Sequence, residues 1–383
     1  MKIKVEPSVL KYARYCSGFD ISEATKKIGI KEEQLISLEK NQGEVSIAKL
    51  EKMANTYKMP LPYFLLDKIP HDVVLPKDFR IIYKSERTGF SPKVMLAIRK
   101  ARYVQFIIQE LDEGSFKYNF RQVELSDNVE KVASYFRTIL KVSAEEQSKW
   151  SNSSVALRNW KDAVEKLNLL VLQQSLPQDD VDAFSLADQE PYIIVLNSSE
   201  HENRRIFSLF HEVGHMLLHR SGICTPDNLS RNSFEYIKIE KFCNQFAASF
   251  LVPYEAFVED PIVEKLKRIP FKEWSDRDIR EISEHFKVSQ EVVYRRLATI
   301  GTLSESRYEQ KREELLSDFK EYSKGKKKKK IVVPQYRKII SQNGRTYVTF
   351  ILEKLHANRI TLASAADYLD TNSRHISNVE ANI

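Results

Sequence analysis

The chain has few cysteines and no long apolar run. Its 383 residues include three scattered cysteines, Cys16, Cys224 and Cys243, with no C-x-x-C pair. This pattern excludes a disulfide framework and predicts reduced thiols. No run of 18 apolar residues exists and the N-terminus lacks the apolar segment of a secretory signal, so we predict no membrane span. We therefore expect a soluble cytoplasmic protein.

The chain also lacks a strong excess of either charge. Its net charge of +7 permits nucleic-acid binding but does not demand it. A hydrophobic content of 42% with 10% aromatic residues is sufficient for well-packed cores. The length predicts two or three domains.

The most informative stretch is the H-E-x-x-H sequence from His211 to His215. Residues four apart lie above one another on a helix, so both imidazoles can point at one metal ion. Glu212 stands beside them, where it can take a proton from a water molecule activated by the metal. The apolar residues around the motif predict a buried helix.

A metal centre of this type needs a third protein ligand. Glu240 is the preferred candidate, because it lies on a second apolar helix predicted from residue 239 to Pro253. Glu235 is the rival, although it precedes the apolar repeat. We predict Zn²⁺ as the cofactor, but a His-His-Glu site also accepts manganese or iron.

Two further polar residues belong to this predicted site. Asn244 follows Glu240 by one helical turn and is a candidate to orient a ligand. His219 extends the histidine series by one more turn. It is a ligand, a substrate contact or a partly buried histidine with its own partner.

These two segments closely resemble the ImmA/IrrE family of zinc metallopeptidase-like proteins. The similarity includes the approach to the motif, residues 183–188, 192–197 and 205–211, and covers residues 155–300 well. The family often has Gly where this chain has Ala183, and Ala at Phe210 and Cys243. The resemblance implies a zincin-like α+β core that cleaves a transcriptional repressor or antitoxin-like protein. It also implies a stress, phage or mobile-element setting.

The N-terminal residues 1–67 are expected to be helical. Helices are predicted at 21–28 and 32–39, with Gly29 as the turn between them, and this layout resembles the XRE-type (Cro/C1-like) helix-turn-helix. The candidate DNA contacts are Lys31, Gln34 and Lys40. Because Glu32 and Glu33 open the second helix, dimerisation or protein contact is the alternative use.

The rest of the chain divides by composition. We predict a linker and helices at 68–152, a metallopeptidase domain at 153–300, a charged helix with a lysine-rich linker at 301–331, and a small helical domain at 332–383. Short strands are predicted at 169–172, 183–186 and 192–196. The overall class is mainly α with a small β-sheet.

The C-terminal domain repeats the spacing of the N-terminal helix pair. Asp370, Ile376 and Val379 follow the same intervals as Gly29, Leu35 and Leu38. Arg374 and His375 are therefore further candidates for DNA contact, with a structural role as the alternative. Residues 274–297 carry a similar pattern, which we interpret as part of the peptidase-domain scaffold. Arg295 and Arg296 support the alternative, a second DNA reader.

Together these features predict a zinc-dependent peptidase-like regulator coupled to DNA binding, with a protein substrate and a possible homodimer. The alternative is a DNA-binding regulator whose zinc is structural or senses a ligand. A fourth protein ligand would favour that alternative. An exposed Glu212 would favour catalysis, because a purely structural site has no use for it.

Overall fold

In the part of the chain that the structure describes, helices predominate and two small sheets are present. The predicted class, mainly α with a small β-sheet, is confirmed. The computed structural model describes residues 2–41, 43–69, 90–112, 114, 116–117, 120–178, 180–218, 222–224, 234–269, 271, 274–324 and 333–383. The chain folds into two units, Met1–Tyr103 with Ser175–Val181, and Val104–Gln174 with Asp182–Ile383.

The described residues from 2 to 65 form four short helices and a two-stranded sheet. The strands β1 (Lys2–Val5) and β2 (Gly43–Ser46) pair antiparallel. The sequence analysis missed them, because neither has the continuous apolar run that marks a buried strand. The helices are α1 (Pro7–Tyr15), α2 (Ile21–Ile28), α3 (Glu32–Lys40) and α4 (Ile47–Tyr57), followed by a 3-10 turn at Leu61–Leu65.

The predicted turn between α2 and α3 is present. Asp20 caps α2 through the backbone N–H of Glu23, and Gly29 ends it with a φ of 76°. Glycine reaches this left-handed conformation without the steric penalty of a Cβ. Leu35 and Leu38 are buried as expected, so α3 packs against the core of the unit and leaves its other face to solvent.

The second unit is built around a four-stranded sheet. Strands β3 (Leu170–Gln174), β5 (Ile193–Asn197), β4 (Ala183–Leu186) and β6 (Gly222–Cys224) lie in that order. β3 runs parallel to β5, whereas β4 is antiparallel to both of its neighbours. The three predicted strands correspond to β3, β4 and β5.

Helices make up the rest of the regular structure described from residue 92 onwards, and α8, α9 and α16 among them contact the sheet. They begin with α5, which spans the boundary between the two units, and end with α19, which a 3-10 turn at Ser373–His375 precedes. They are α5 (Pro92–Leu111), α6 (Val129–Leu140), α7 (Ala144–Ser148), α8 (Ser153–Glu165), α9 (Glu202–Leu217), α10 (Phe234–Leu251), α11 (Tyr254–Val258), α12 (Pro261–Leu266), α13 (Asp276–His285), α14 (Gln290–Thr299), α15 (Glu305–Lys324), α16 (Gln335–Asn343), α17 (Arg345–His356), α18 (Leu362–Tyr368) and α19 (Ile376–Glu380).

Helix α9 is the centre of the larger core. It packs against α8, α10 and the strands β4 and β5. The rings of Trp160, Phe210 and Phe250 pack together there, with the Phe210 and Phe250 centroids 4.0 Å apart. Because helices and strands pack against several sides of α9, they fix its position and its rotation about its own axis. The packing therefore also fixes the direction of its polar side chains.

The C-terminal helices pack against β3 and α8 of the same unit. Gln173 donates to the Ser341 hydroxyl at 2.7 Å, and Glu165 accepts from the backbone N–H of Thr346 at 3.0 Å. Gly344, with a φ of 78°, lies against the carbonyl of Val171. These contacts hold residues 335–383 directly on the sheet domain.

Three predictions concern residues outside the described part. Residues 70–89 of the predicted linker and the lysine run at 325–330 lie outside the described residues, and so does His219. Among the helices that the structure describes, none has both the length and the apolar character needed to cross a bilayer.

Candidate metal centre

Two histidines of α9 lie close together in a buried part of the helix. His211 and His215 are 3% and 2% exposed, and their Nε2 atoms are 3.1 Å apart. His201 is the N-cap of the helix, its ring accepts from the N–H of Asn203, and Glu202 lies in the first turn. The four-residue spacing thus places both imidazoles on one face, as the motif predicts.

Glu240 of α10 faces the same point. Its carboxylate oxygens lie 3.4 Å from Nε2 of His211 and 3.3 Å from Nε2 of His215. A tetrahedral zinc ion with bonds of about 2.0–2.1 Å separates neighbouring ligand atoms by roughly 3.3 Å. The two nitrogens and the carboxylate therefore fit one such ion.

The electrostatics of this group favour an ionised carboxylate. Burial alone opposes the charge on Glu240, but hydrogen bonds and charge from His211 and His215 lower the pKa of its carboxyl well below its usual range. An ionised oxygen is the form that binds a metal ion. In the absence of an ion, the contacts with the two imidazoles thus favour the ionised carboxylate of Glu240.

Asn244 contacts the other ring nitrogen of His211, Nδ1. Its side-chain oxygen is 3.0 Å from Nδ1 of His211. A proton on Nδ1 donated to this oxygen leaves Nε2 as a lone pair directed at Glu240 and His215. This is the contact by which an outer residue sets the tautomer and orientation of a metal-binding imidazole.

A cysteine lies at the crossing of α9 and α10, close to the centre. The Cys243 sulfur and one nitrogen of each histidine, His211 and His215, lie within 4.8 Å of one another. Cys243 is fully buried, and burial raises the pKa of its thiol. Gly214 makes the approach possible, because a Cβ at that position would come within 3.1 Å of the Cys243 Cα.

The sequence analysis did not include Cys243 among the site residues. The available signal was its position three residues after Glu240, which places both on neighbouring parts of one helical face. The glycine within the H-E-x-x-H motif was a second signal, since a glycine in a buried helix allows another backbone to approach closely. Neither signal shows, without the tertiary structure, that Cys243 packs against Gly214.

The expected exposure of Glu212 is wrong. The side chain is 0% exposed, because α8, α10 and the sheet enclose α9. It therefore lies in the protein interior rather than on an open surface, and it does not line the cavity to which His211 and Glu240 contribute. Glu235, the rival ligand, begins α10, and its side chain is outside the described residues.

A large cavity opens onto the two helices. It has a volume of about 1330 Å³, and its wall includes His211, Glu240 and Asn244. The remaining wall comes largely from α13, α14 and the first half of α15. A typical small-molecule pocket has a volume of about 300–1,000 Å³, so this cavity has room for a larger ligand.

The candidate DNA-contacting residues belong to different units of the chain. In the first unit Lys31, Gln34 and Lys40 are all exposed, at the start of α3 or within it. In the second unit Arg374 is exposed and His375 is half-buried. Neither group lines the cavity beside the histidines.

The repeated spacing of the two helix pairs corresponds to a repeated backbone conformation. Asp370 has a φ of 53° where Gly29 has 76°, so both turns pass through the left-handed region. The buried positions also correspond, because Ile376 and Val379 are covered as Leu35 and Leu38 are.

The two arginines of α14 are engaged inside the protein. Arg296 is 0% exposed and forms an ion pair with Glu130. The Arg295 guanidinium lies over the Tyr308 ring at 4.6 Å and is 3.3 Å from Glu291. Both contacts agree with the scaffold interpretation of this helix pair.

Comparison with known proteins supports the resemblance of the central region. Residues 164–298 match the model of the IrrE N-terminal-like domain, a peptidase family. The match includes β3, β4, β5, α9 and α10, and thus His211, His215 and Glu240. A comparison with curated proteins found none that matches. The helix-turn-helix of the first unit remains a prediction.

Proposed function

We propose that this protein is a zinc-dependent peptidase that acts as a regulator. The observation that carries the proposal is the convergence of two imidazole nitrogens and one carboxylate, 3.1–3.4 Å apart, beside a cavity of about 1330 Å³. The match of residues 164–298 to a peptidase family model supports it.

In this proposal His211, His215 and Glu240 hold the zinc ion, and Asn244 keeps His211 in the ligating tautomer. The bound ion would supply Lewis-acid activation of water and of the peptide carbonyl. Three protein ligands leave one position for these groups, as catalytic zinc sites require.

Glu212 would be the general base. It would take a proton from the attacking water and pass it to the leaving amine. Its burial supports this role, because a carboxylate shielded from bulk water interacts more strongly with nearby protons and charges. In an H-E-x-x-H helix, the glutamate that follows the first histidine ligand is the residue that serves as this base.

The proposed substrate is a protein, namely a transcriptional repressor or antitoxin-like protein. The cavity supports a polypeptide substrate, because its volume exceeds that of common small-molecule pockets. The first unit would couple the peptidase to DNA through Lys31, Gln34 and Lys40, with a homodimer bound to paired half-sites.

The test compares new protein N-termini in cells producing the wild type with those producing Glu212→Gln. This variant keeps the side-chain size and removes the base. Cleavage sites present only with the wild type would support the peptidase and identify its substrate. Identical N-termini from two metal-loaded proteins would contradict it.

A second candidate function is a DNA-binding regulator with a closed, structural or ligand-sensing zinc site. The position of Cys243 favours it, since a thiol within 4.8 Å of both histidines can supply a fourth ligand. Cobalt substitution separates the two functions. A thiolate-to-cobalt charge-transfer band that Cys243→Ala removes would support the closed site.

The DNA component has its own test. Gln34→Ala would reduce discrimination between operator and random DNA, whereas Lys31→Ala would weaken binding to both and reduce its salt dependence. Arg374→Ala would test DNA contact by the C-terminal helix pair, and we expect weaker DNA binding if that pair is used. Binding that none of the three variants alters would contradict DNA contact by these surfaces.

A further inference from the structure

An exposed isoleucine lies next to the metal centre. Ile237 of α10 is 58% exposed and lines the cavity one helical turn before Glu240. Its neighbours Lys241 and Asn244 line the same cavity, so this face of α10 points into the cavity rather than outwards from the protein. A large apolar side chain in a cavity wall is the usual means of binding an apolar ligand group.

Other apolar side chains contribute to the wall. Phe207 of α9 lines the cavity one turn before His211, and Leu315 and Leu316 of α15 line it from another element. Phe207 and Leu315 are partly buried against the main core, which fixes their positions. Helix α15 lies beyond residues 164–298, so part of the wall belongs to this chain rather than to the matched domain.

The charges of the wall nearly cancel. Seven acidic and six basic side chains line the cavity. Several are paired, including Arg204 with Asp182 at 2.8 Å and Arg295 with Glu291 at 3.3 Å. A wall of this kind does not favour a ligand of one charge, whereas Ile237 remains available for an apolar contact.

We infer that the cavity binds an extended polypeptide that places a large apolar side chain against Ile237, beside the scissile bond. Ile237 is then a specificity-determining residue for Leu, Ile, Met or Phe in the substrate. This inference rests on the proposed peptidase function and adds the class of peptide that the site accepts.

The experiment uses the full-length, zinc-loaded protein and a library of unstructured peptides with every residue at each position. Wild type, Ile237→Asp and Ile269→Asp are compared. Ile269 is the matched control, because it is an exposed isoleucine of the same unit, 39% exposed, that does not line the cavity. Zinc content and the unfolding midpoint of each variant confirm that the centre is intact.

We expect wild type and Ile269→Asp to cleave beside a large apolar residue. With Ile237→Asp, the preference for that residue over Asp or Ser would fall by about tenfold or more, with its kcat/KM reduced accordingly. Cleavage without side-chain preference, or an unchanged preference in Ile237→Asp, would overturn the inference while leaving the peptidase function intact.

If the zinc-loaded wild type cleaves no peptide, the peptidase proposal fails, and binding then tests the inference by itself. The same peptides are passed over immobilised Glu212→Gln protein with and without Ile237→Asp. Retention of apolar peptides that requires Ile237 would support the inference, and equal retention on both proteins would overturn it.

Discussion

The side-chain oxygen of Asn244 lies 3.0 Å from Nδ1 of His211, so a residue on α10 sets the orientation of a histidine on α9. The contact joins the two helices that contribute the proposed ligands. Any change that rotates one helix relative to the other therefore alters both the ligands and their support.

Asn244→Ala should weaken metal binding without unfolding the protein. Loss of an outer partner of a metal-binding histidine typically costs about 10–100-fold in affinity. Zinc affinity measured by competition with a chelator would show this fall. Gln245→Ala is the control, because this neighbouring amide does not line the cavity. Equal affinities of the two variants would contradict the orienting role.

Gly214→Ala should disturb the crossing of α9 and α10. The new Cβ would come within 3.1 Å of the Cys243 Cα and 3.2 Å of its sulfur. Overpacking of this kind costs about 1–3 kcal/mol, partly offset by the better helix propensity of Ala. Urea unfolding and zinc affinity would measure the two effects.

The double variant Gly214→Ala with Cys243→Ala gives a sharper test of the same contact. It removes the sulfur but keeps the close Cα, so we expect only partial recovery of stability. Full recovery would mean that the sulfur alone limits the approach, and no recovery would mean that the backbone contact dominates.

Gly344→Ala should loosen the C-terminal helices from the sheet domain. Its Cβ would lie 2.9 Å from both the Val171 carbonyl and a Glu165 carboxylate oxygen. Gly301→Ala is the matched control, since Gly301 has a φ of 81° with nothing within 4 Å. A positive φ costs an alanine about 1–2 kcal/mol at either position, and Gly344 has in addition a ψ of 145°, which is outside the left-handed helical region.

Only Gly344→Ala adds the steric conflict, so hydrogen exchange in residues 335–383 should accelerate in that variant and not in Gly301→Ala. Unfolding free energies should differ by about 1–3 kcal/mol. Similar exchange in both variants would show that the packing at Val171 does not hold these helices.

The Glu130–Arg296 pair should make stability depend on acid pH. Burial opposes the charge of Glu130, but hydrogen bonds from Arg296 and Ser249 lower the pKa of its carboxyl. A carboxyl with a lower pKa in the folded state contributes fully above the unfolded value of about 4.3. That contribution is lost as the pH falls through the folded pKa.

Glu130→Gln should therefore destabilise the protein near neutral pH and have less effect in acid. Arg296 is 0% exposed, so the loss of its counter-charge is costly, but the Glu130 side chain is 42% exposed and water screens the pair. We expect about 1–3 kcal/mol. Chemical denaturation between pH 7 and pH 3 would show the unfolding free energies of wild type and Glu130→Gln converging as the pH falls. A difference that stays constant would contradict the dependence on Glu130 ionisation.

Local patterns predicted the elements well where the apolar residues are clearly arranged. The helices at 21–28 and 32–39, the turn at Gly29 and the strands at 169–172, 183–186 and 192–196 all correspond to observed elements. The helices have apolar residues on one face, whereas the strands are nearly continuous apolar runs that are buried on both faces. The short strands β1 and β2 and the helix α16 were not predicted individually, because their sequences have no comparably clear apolar pattern.

The sequence by itself determined that His211 and His215 share a helical face, because four-residue spacing has that consequence in any helix. It also indicated Glu240, since one carboxylate followed the motif on an apolar helix. The burial of Glu212, the contact of Asn244 with His211 and the approach of Cys243 to Gly214 depended on the tertiary structure. These features arise from the crossing of α9 and α10, which depends on packing between residues distant in sequence, and no local pattern records that geometry.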